Sequence, residues 1–261
     1  MQSSRPQPNR ISTPPRLLLL VGTMIGLLFS WHCGGIDQEP ELSAEEIILR
    51  YLAVTGLQEH AGRFQNRVTV GKFLMPKIGY EGEVTTYTVP PDFRHMDVLQ
   101  GTETIYSSGV KVGIAWTIDP INGARIMEGL ERLRTLRQCT FVVFLSWQLE
   151  FVSAEVERTS SQSEETHHRV ILSSRRGERL IALFDRQSGL LTRMISQAGS
   201  SRIAVDVSDY REVDGMLIPH LLDTDLDGAM TLQISATKIQ HNVEIPEKLL
   251  ELPLEIAELK K

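Results

Sequence analysis

The sequence predicts an α+β protein: a long antiparallel sheet of about eleven strands that curls, its dry face covered by helices or by a ligand. Three observations carry that expectation. Residues 201–246 hold three alternating segments joined by Asp214-Gly215 and Asp227-Gly228. Asp-Gly pairs accept the positive φ of tight hairpin turns, so this stretch reads as a three-stranded meander. Short alternating segments recur through most of the remaining chain, whereas helical periodicity is confined to residues 44–54 and the neighbourhood of 126–151.

The elements follow in order. Ser43-Ala44-Glu45-Glu46 is a capping box that starts a helix over 44–54, with Ile47, Ile48, Tyr51 and Leu52 on one face and Gly56 at its end. Strand patterns follow at 67–75, 79–89, 93–99, 102–107 and 110–118. In the last of these, Val110, Val112, Ile114, Trp116 and Ile118 are expected on one face, with Lys111, Gly113, Ala115 and Thr117 on the other. Met127, Leu130, Leu133 and Leu136 then recur every third residue among charged neighbours, the pattern of an amphipathic helix. The run from Phe141 to Trp147 is apolar on every side, which leaves helix and strand both open. Strands resume at 151–158, 168–173, 179–185 and 190–196, ahead of the meander. There Ile203, Val205 and Val207 face one way, and Met230, Leu232, Ile234 and Ala236 form the apolar side of the last segment. Pro246 opens a short helical turn. A sheet of this strand number curls, because every strand pair adds twist in the same sense, and its dry face needs helices or a ligand above it.

Composition narrows the functional classes. The 261 residues are 41% hydrophobic and 23% charged, ordinary for a globular protein, with a net charge of −6. Residues 1–35 carry Arg5, Arg10 and Arg16 and no acid, so the chain without them stands at −9. A mildly acidic body with no basic run argues against nucleic acid as a partner.

The three arginines precede a 15-residue apolar run from Leu17 to Trp31, and Cys33-Gly34-Gly35 follows. A membrane span needs about 20 residues, so 1–35 is expected to be an export segment ahead of one domain over 36–261. Three forms fit. The segment is a cleavable signal with Cys33 and Gly35 as the small residues of the cleavage site, a lipoprotein signal acylated on Cys33, or a retained anchor contacting the membrane. Each places the body in the periplasm or cell envelope.

Other constellations carry less. Cys139 sits in an apolar run and reads as a small buried hydrophobe. The stretch from Asp223 to Gly228 copies the start of an EF-hand loop, but Ile234 stands where a bidentate glutamate is needed, and the flanks read as strands. His167 and His168, beside Glu164 and Glu165, point to opposite faces of a strand and make a poor chelating pair. There is no nucleophile elbow, phosphate loop or zinc-protease helix, so neither catalysis, metal nor cofactor is expected.

The stretch from Gly109 to Trp116, then Asp119-Pro120, Gly123-Ala124-Arg125 and Glu128-Gly129, resembles the bacterial outer-membrane lipoprotein-sorting (LolA/LolB-like) domain family. Phe184 to Leu190, Asp209 to Pro219 and Asn242 to Pro246 resemble the same family, in the same order, so that the resemblance spans about residues 43–253. It implies a half-barrel closed by helices around a cavity for the acyl chains of a lipid or lipoprotein, and no catalysis. Trp116, Met127, Leu130, Phe141, Phe144 and Trp147 are then the candidate cavity residues. The run at 139–147 is more apolar than the family pattern, which implies a greasier cover or a membrane-touching segment. The alternative is an envelope sensor or interaction module that uses the same fold to bind a protein partner.

Overall fold

The computed structural model describes residues 42–157 and 166–260; the expected export segment, Cys33 included, and residues 158–165 lie outside it. Among the described residues thirteen strands form one antiparallel sheet. They are β1 (Arg67–Met75), β2 (Tyr80–Val89), β3 (Phe93–Gln100), β4 (Glu103–Lys111), β5 (Ile114–Asp119), β6 (Gly123–Ile126), β7 (Phe151–Glu157), β8 (His167–Ser174), β9 (Arg179–Asp185), β10 (Leu191–Ala198), β11 (Ser201–Val213), β12 (Met216–Leu226) and β13 (Met230–His241). Their spatial order is β6-β5-β4-β3-β2-β1-β13-β12-β11-β10-β9-β8-β7, two meanders joined where β1 pairs with β13.

That order has a consequence for the cover. The sheet does not close, and its two edges, β6 and β7, are consecutive in the chain. The chain between them must therefore cross the full width of the sheet over one face. It does so as α3 (Gly129–Arg137) followed by a 3₁₀ stretch, Val143–Leu149. The apolar run at 141–147 is thus neither a strand nor an α-helix. At the other end α1 (Ala44–Val54) lies against β7 and β8, followed by a short α2 (Leu57–His60). Its capping box is formed as the sequence predicts: Glu46 N donates to Ser43 Oγ at 3.3 Å, and Ser43 N donates to Glu46 Oε2 at 2.7 Å. Ile47, Ile48, Tyr51 and Leu52 are all buried on the expected face. A C-terminal 3₁₀ turn, Glu247–Leu250, and α4 (Leu254–Glu258) pack against β3 and β6. Among the described residues no helix is long and apolar enough to cross a membrane.

The meander forms as expected, with Asp214 and Gly215 at φ 53° and 82°, and Asp227 and Gly228 at φ 54° and 72°. The EF-hand-like stretch is the end of β12 and this turn, where Gly228 N donates to Asp225 Oδ1 at 2.9 Å. A bulge on β13 skips Thr237, so that Val70 pairs with Lys238 but Gly71 with Ala236. The extra residue shifts the alternation: beyond Ala236 the inward positions become Ile239 and His241.

The strand expected over 110–118 is a correction. Val112 and Gly113 adopt φ 46° and 78° and form a two-residue hairpin turn between β4 and β5. A β-branched residue in the left-handed region costs roughly 1–2 kcal/mol, so nothing in the local sequence announces the turn. The miss reverses a face. Val110 pairs with Ala115, and Trp116 pairs with Gly109. Val110 and Trp116, expected side by side, therefore point to opposite sides of the sheet. With the short β6 beyond it, the count becomes thirteen instead of about eleven.

Buried residues form one large cluster under α1, where Tyr51, Phe144 and Phe184 meet residues of β8–β12. A second cluster, Phe73, Val84, Met96 and Val98, fills the surface of β1–β3. A third, Val110, Ala115, Met127 and Cys139, lies beneath α3.

Candidate binding cavity

The residues that face inward can be followed across the register. Arg67, Thr88, Arg94, Val110 and Ala115 form one row over β1–β5. Ala182, Met194, Val205 and Thr224 form another over β9–β12. Above the second half the cover stands off the sheet and leaves a cavity of about 440 Å³, within the roughly 300–1,000 Å³ of small-molecule sites. Its floor is mostly aliphatic, with Met194 from β10, Ile203, Val205 and Val207 from β11, Ile218 and Leu222 from β12, and Ile234, Ala236 and Ile239 from β13, and with Thr69, Ser196 and His220 as its polar members. Its roof is Tyr51 of α1, Leu57 of α2, Gln138 and residues 140–144.

Two devices hold the roof. The first is aromatic. Phe144, 2% exposed, meets Tyr51 edge-on with ring centroids 5.6 Å apart and Phe184 at 5.3 Å. The second is ionic. Glu178, 1% exposed, sits in the β8–β9 turn and accepts from Arg137 Nη2 at 2.6 Å and from Ser196 Oγ at 2.7 Å, with Arg134 Nε at 3.4 Å. Burial pushes the Glu178 carboxyl up, but the bonds from Arg137 and Ser196 outweigh it and hold the group below its ordinary value. Arg137 also pairs with Glu150, where the crossing segment ends. Both arginines belong to α3, so the ion cluster pins the crossing segment to β8–β10.

One basic residue differs. Arg67, at the start of β1, lines the cavity. Its guanidinium lies over the Phe141 ring, 4.7 Å from the centroid. Its Nε donates to His241 Nε2 at 3.0 Å, which leaves the ring proton on Nδ1, facing Asp214 Oδ2 at 2.7 Å. Burial lowers the Arg67 pKa to about 10.

No family model matches the sequence, and no curated protein matches it in sequence. Solved structures do match. A LolA superfamily protein from Nitrosomonas europaea superposes with a TM-score of 0.55 at 12% identity, over 81% of this chain and 99% of that one. A DUF1329 family protein from Desulfovibrio piger superposes with a TM-score of 0.56 at 8% identity, over 80% and 95%. The fold is LolA-like.

Within the LolA-like sheet the sequence candidates separate. Phe141 and Phe144 line the cavity. Trp147 packs against the same core and lines a surface groove with Leu133, Leu136 and Val152. Met127 follows β6 and is buried with Val110, Ala115 and Cys139, while Leu130, in the first turn of α3, lines neither hollow. Trp116 is 2% exposed on the opposite face, where it meets His95 edge-on at 5.3 Å and lies over Gly109. Cys139 is fully buried, and burial pushes its thiol up to about 12, consistent with an inert hydrophobe. His167 and His168 are consecutive on β8, and among the described residues no cluster of His, Cys, Asp and Glu fits a metal. The sequence reading missed Arg67, Tyr51 and the Glu178 cluster. Alternation places Arg67 on the same side as Phe73, which marks it as an inward cation; Glu178 lies in an ordinary polar turn and carries no such mark.

Proposed function

We propose that this chain is a non-catalytic binding protein of the bacterial periplasm or cell envelope that carries an acyl chain in the cavity between β10–β13 and the crossing segment. The observation that carries this reading is the pairing of a mostly aliphatic floor with an aromatic roof around about 440 Å³ of space. Each methylene buried there contributes about 0.8 kcal/mol without any polar chemistry, which is what a carrier of lipid or lipoprotein chains needs. The LolA-like fold and the export pattern in residues 1–35 support it.

The test is direct. The full chain, recovered from the envelope of a bacterial host without detergent, is extracted with organic solvent and the extract analysed by mass spectrometry. An acyl species near one per protein is expected, and a cavity-filling Met194→Trp variant that still folds should carry far less. An empty extract, or equal loading of the variant, contradicts the reading.

A further inference from the structure

The cavity has a charge problem that an uncharged lipid would not solve. Three arginines line it: Arg67, Arg134 and Arg137. Arg134 and Arg137 are answered by Glu178, and Arg137 by Glu150 as well. Arg67 has no carboxylate within ion-pair distance among the described residues. Its Nη2 is buried and has no hydrogen-bond partner among the described residues. Its two contacts are soft: an aromatic face and the lone pair of a neutral imidazole. Asp214 lies beyond that imidazole, about half exposed at the hairpin turn, bonded to the ring and not to the guanidinium. A buried cation with a spare donor is costly unless an anion meets it.

Another inward arginine sharpens the contrast. Arg94 also lacks an acid partner among the described residues, but its Nη2 donates to Met96 Sδ at 3.2 Å and it does not line the cavity. Among the described residues Arg67 alone combines an unmet donor, an absent carboxylate and a wall of the cavity.

We propose that the cavity takes an amphiphile with an anionic oxygen head, carboxylate or phosphate, whose head accepts from the free Nη2 of Arg67 while its acyl chain lies on the aliphatic floor. The proposal rests on the acyl-binding reading above and names the ligand class for that site. Arg67 stands at the β1 end of the cavity, beside Phe141 of the roof. A head there meets the guanidinium edge while the chain runs toward Val205 and Met194, which come from strands three and four places away in the sheet.

The experiment is calorimetric titration of the delipidated full chain with three single-chain probes: palmitate, 1-palmitoyl-lysophosphatidylglycerol and the uncharged 1-monopalmitoylglycerol. The wild type should bind one or both anionic probes at least about tenfold more tightly than the uncharged one, the scale of a hydrogen bond to a charged group. Which of the two binds tighter tells carboxylate from phosphate. Arg67→Gln should lose that preference and keep its affinity for monopalmitoylglycerol within about twofold, while Arg67→Lys, which keeps the charge but not the planar fork, should retain part of it. Urea unfolding of each variant separates lost binding from lost folding. Equal affinity for charged and uncharged probes, or an Arg67→Gln variant that still prefers the anions, overturns the head-group inference alone. If none of the three probes binds the wild type, the acyl-binding reading falls with it.

Discussion

The two halves of the concave face solve the same problem differently. Over β1–β3 the sheet fills its own surface, with Phe73, Val84, Met96 and Val98 closing against one another. Over β10–β13 the inward residues are mostly medium-sized aliphatics, and the bulk is supplied from the other side by Tyr51, Phe141 and Phe144. Large side chains on the sheet leave no space; small ones under a pinned aromatic roof leave a cavity. What differs is where the volume is attached and whether an ion cluster holds the roof in place.

The comparison can be broken by truncating both halves. Phe73→Ala should cost about 3–5 kcal/mol, because a filled cluster cannot collapse around the loss. Leu222→Ala, on the cavity floor, should cost only about 2 kcal/mol, the low end for that change, since the side chain already borders empty space. Urea denaturation reads both, and equal costs would mean that the second half is packed as tightly as the first.

The ionic anchor comes next in size. Glu178→Ala leaves Arg134 facing no acid while Arg137 keeps Glu150, so about 3 kcal/mol should be lost, the low end for breaking a buried pair. The pH dependence has a definite sign. The folded Glu178 carboxyl titrates below its ordinary value, so its contribution is complete above about pH 4.3 and is lost as the pH falls through the depressed value. Wild type should therefore lose stability more steeply on acidification than Glu178→Gln. Parallel profiles would remove Glu178 from the anchor.

The smallest effect lies outside both halves. Val112, 70% exposed, holds a left-handed conformation, which asparagine tolerates better. Val112→Asn should raise stability by about 1 kcal/mol in thermal unfolding. A loss instead would mean that the valine makes a contact outweighing its strain.

That residue also marks how far the sequence could be read. The capping box at Ser43 and the Asp-Gly turns of the meander were legible because each uses side chains suited to its own backbone geometry. Val112-Gly113 forms the same kind of two-residue turn as Asp214-Gly215 with a residue unsuited to it, so the alternation of 110–118 looked unbroken. One hidden turn was enough to move Trp116 from the expected cavity to the opposite face. Phe141 and Phe144 became candidates through the apolarity of their run, which reflects the requirement that the chain cross from β6 to β7 over a dry surface. Met127 and Leu130 were grouped by helical spacing, but α3 begins only at Gly129, so Met127 precedes it, and the spacing does not say which hollow Leu130 borders. Glu178 and Arg67 act through partners 41 and 174 residues away, beyond any local pattern.

Hydrogen–deuterium exchange on the full chain, with and without saturating 1-palmitoyl-lysophosphatidylglycerol, tests the division of the face most directly. Amides in α1, residues 138–149 and β10–β13 should slow on addition, because a filled cavity ties roof to floor, while β2–β5 should exchange as before. Protection spread over β2–β5, or no protection anywhere, would contradict a cavity that binds acyl chains in one half of the sheet alone.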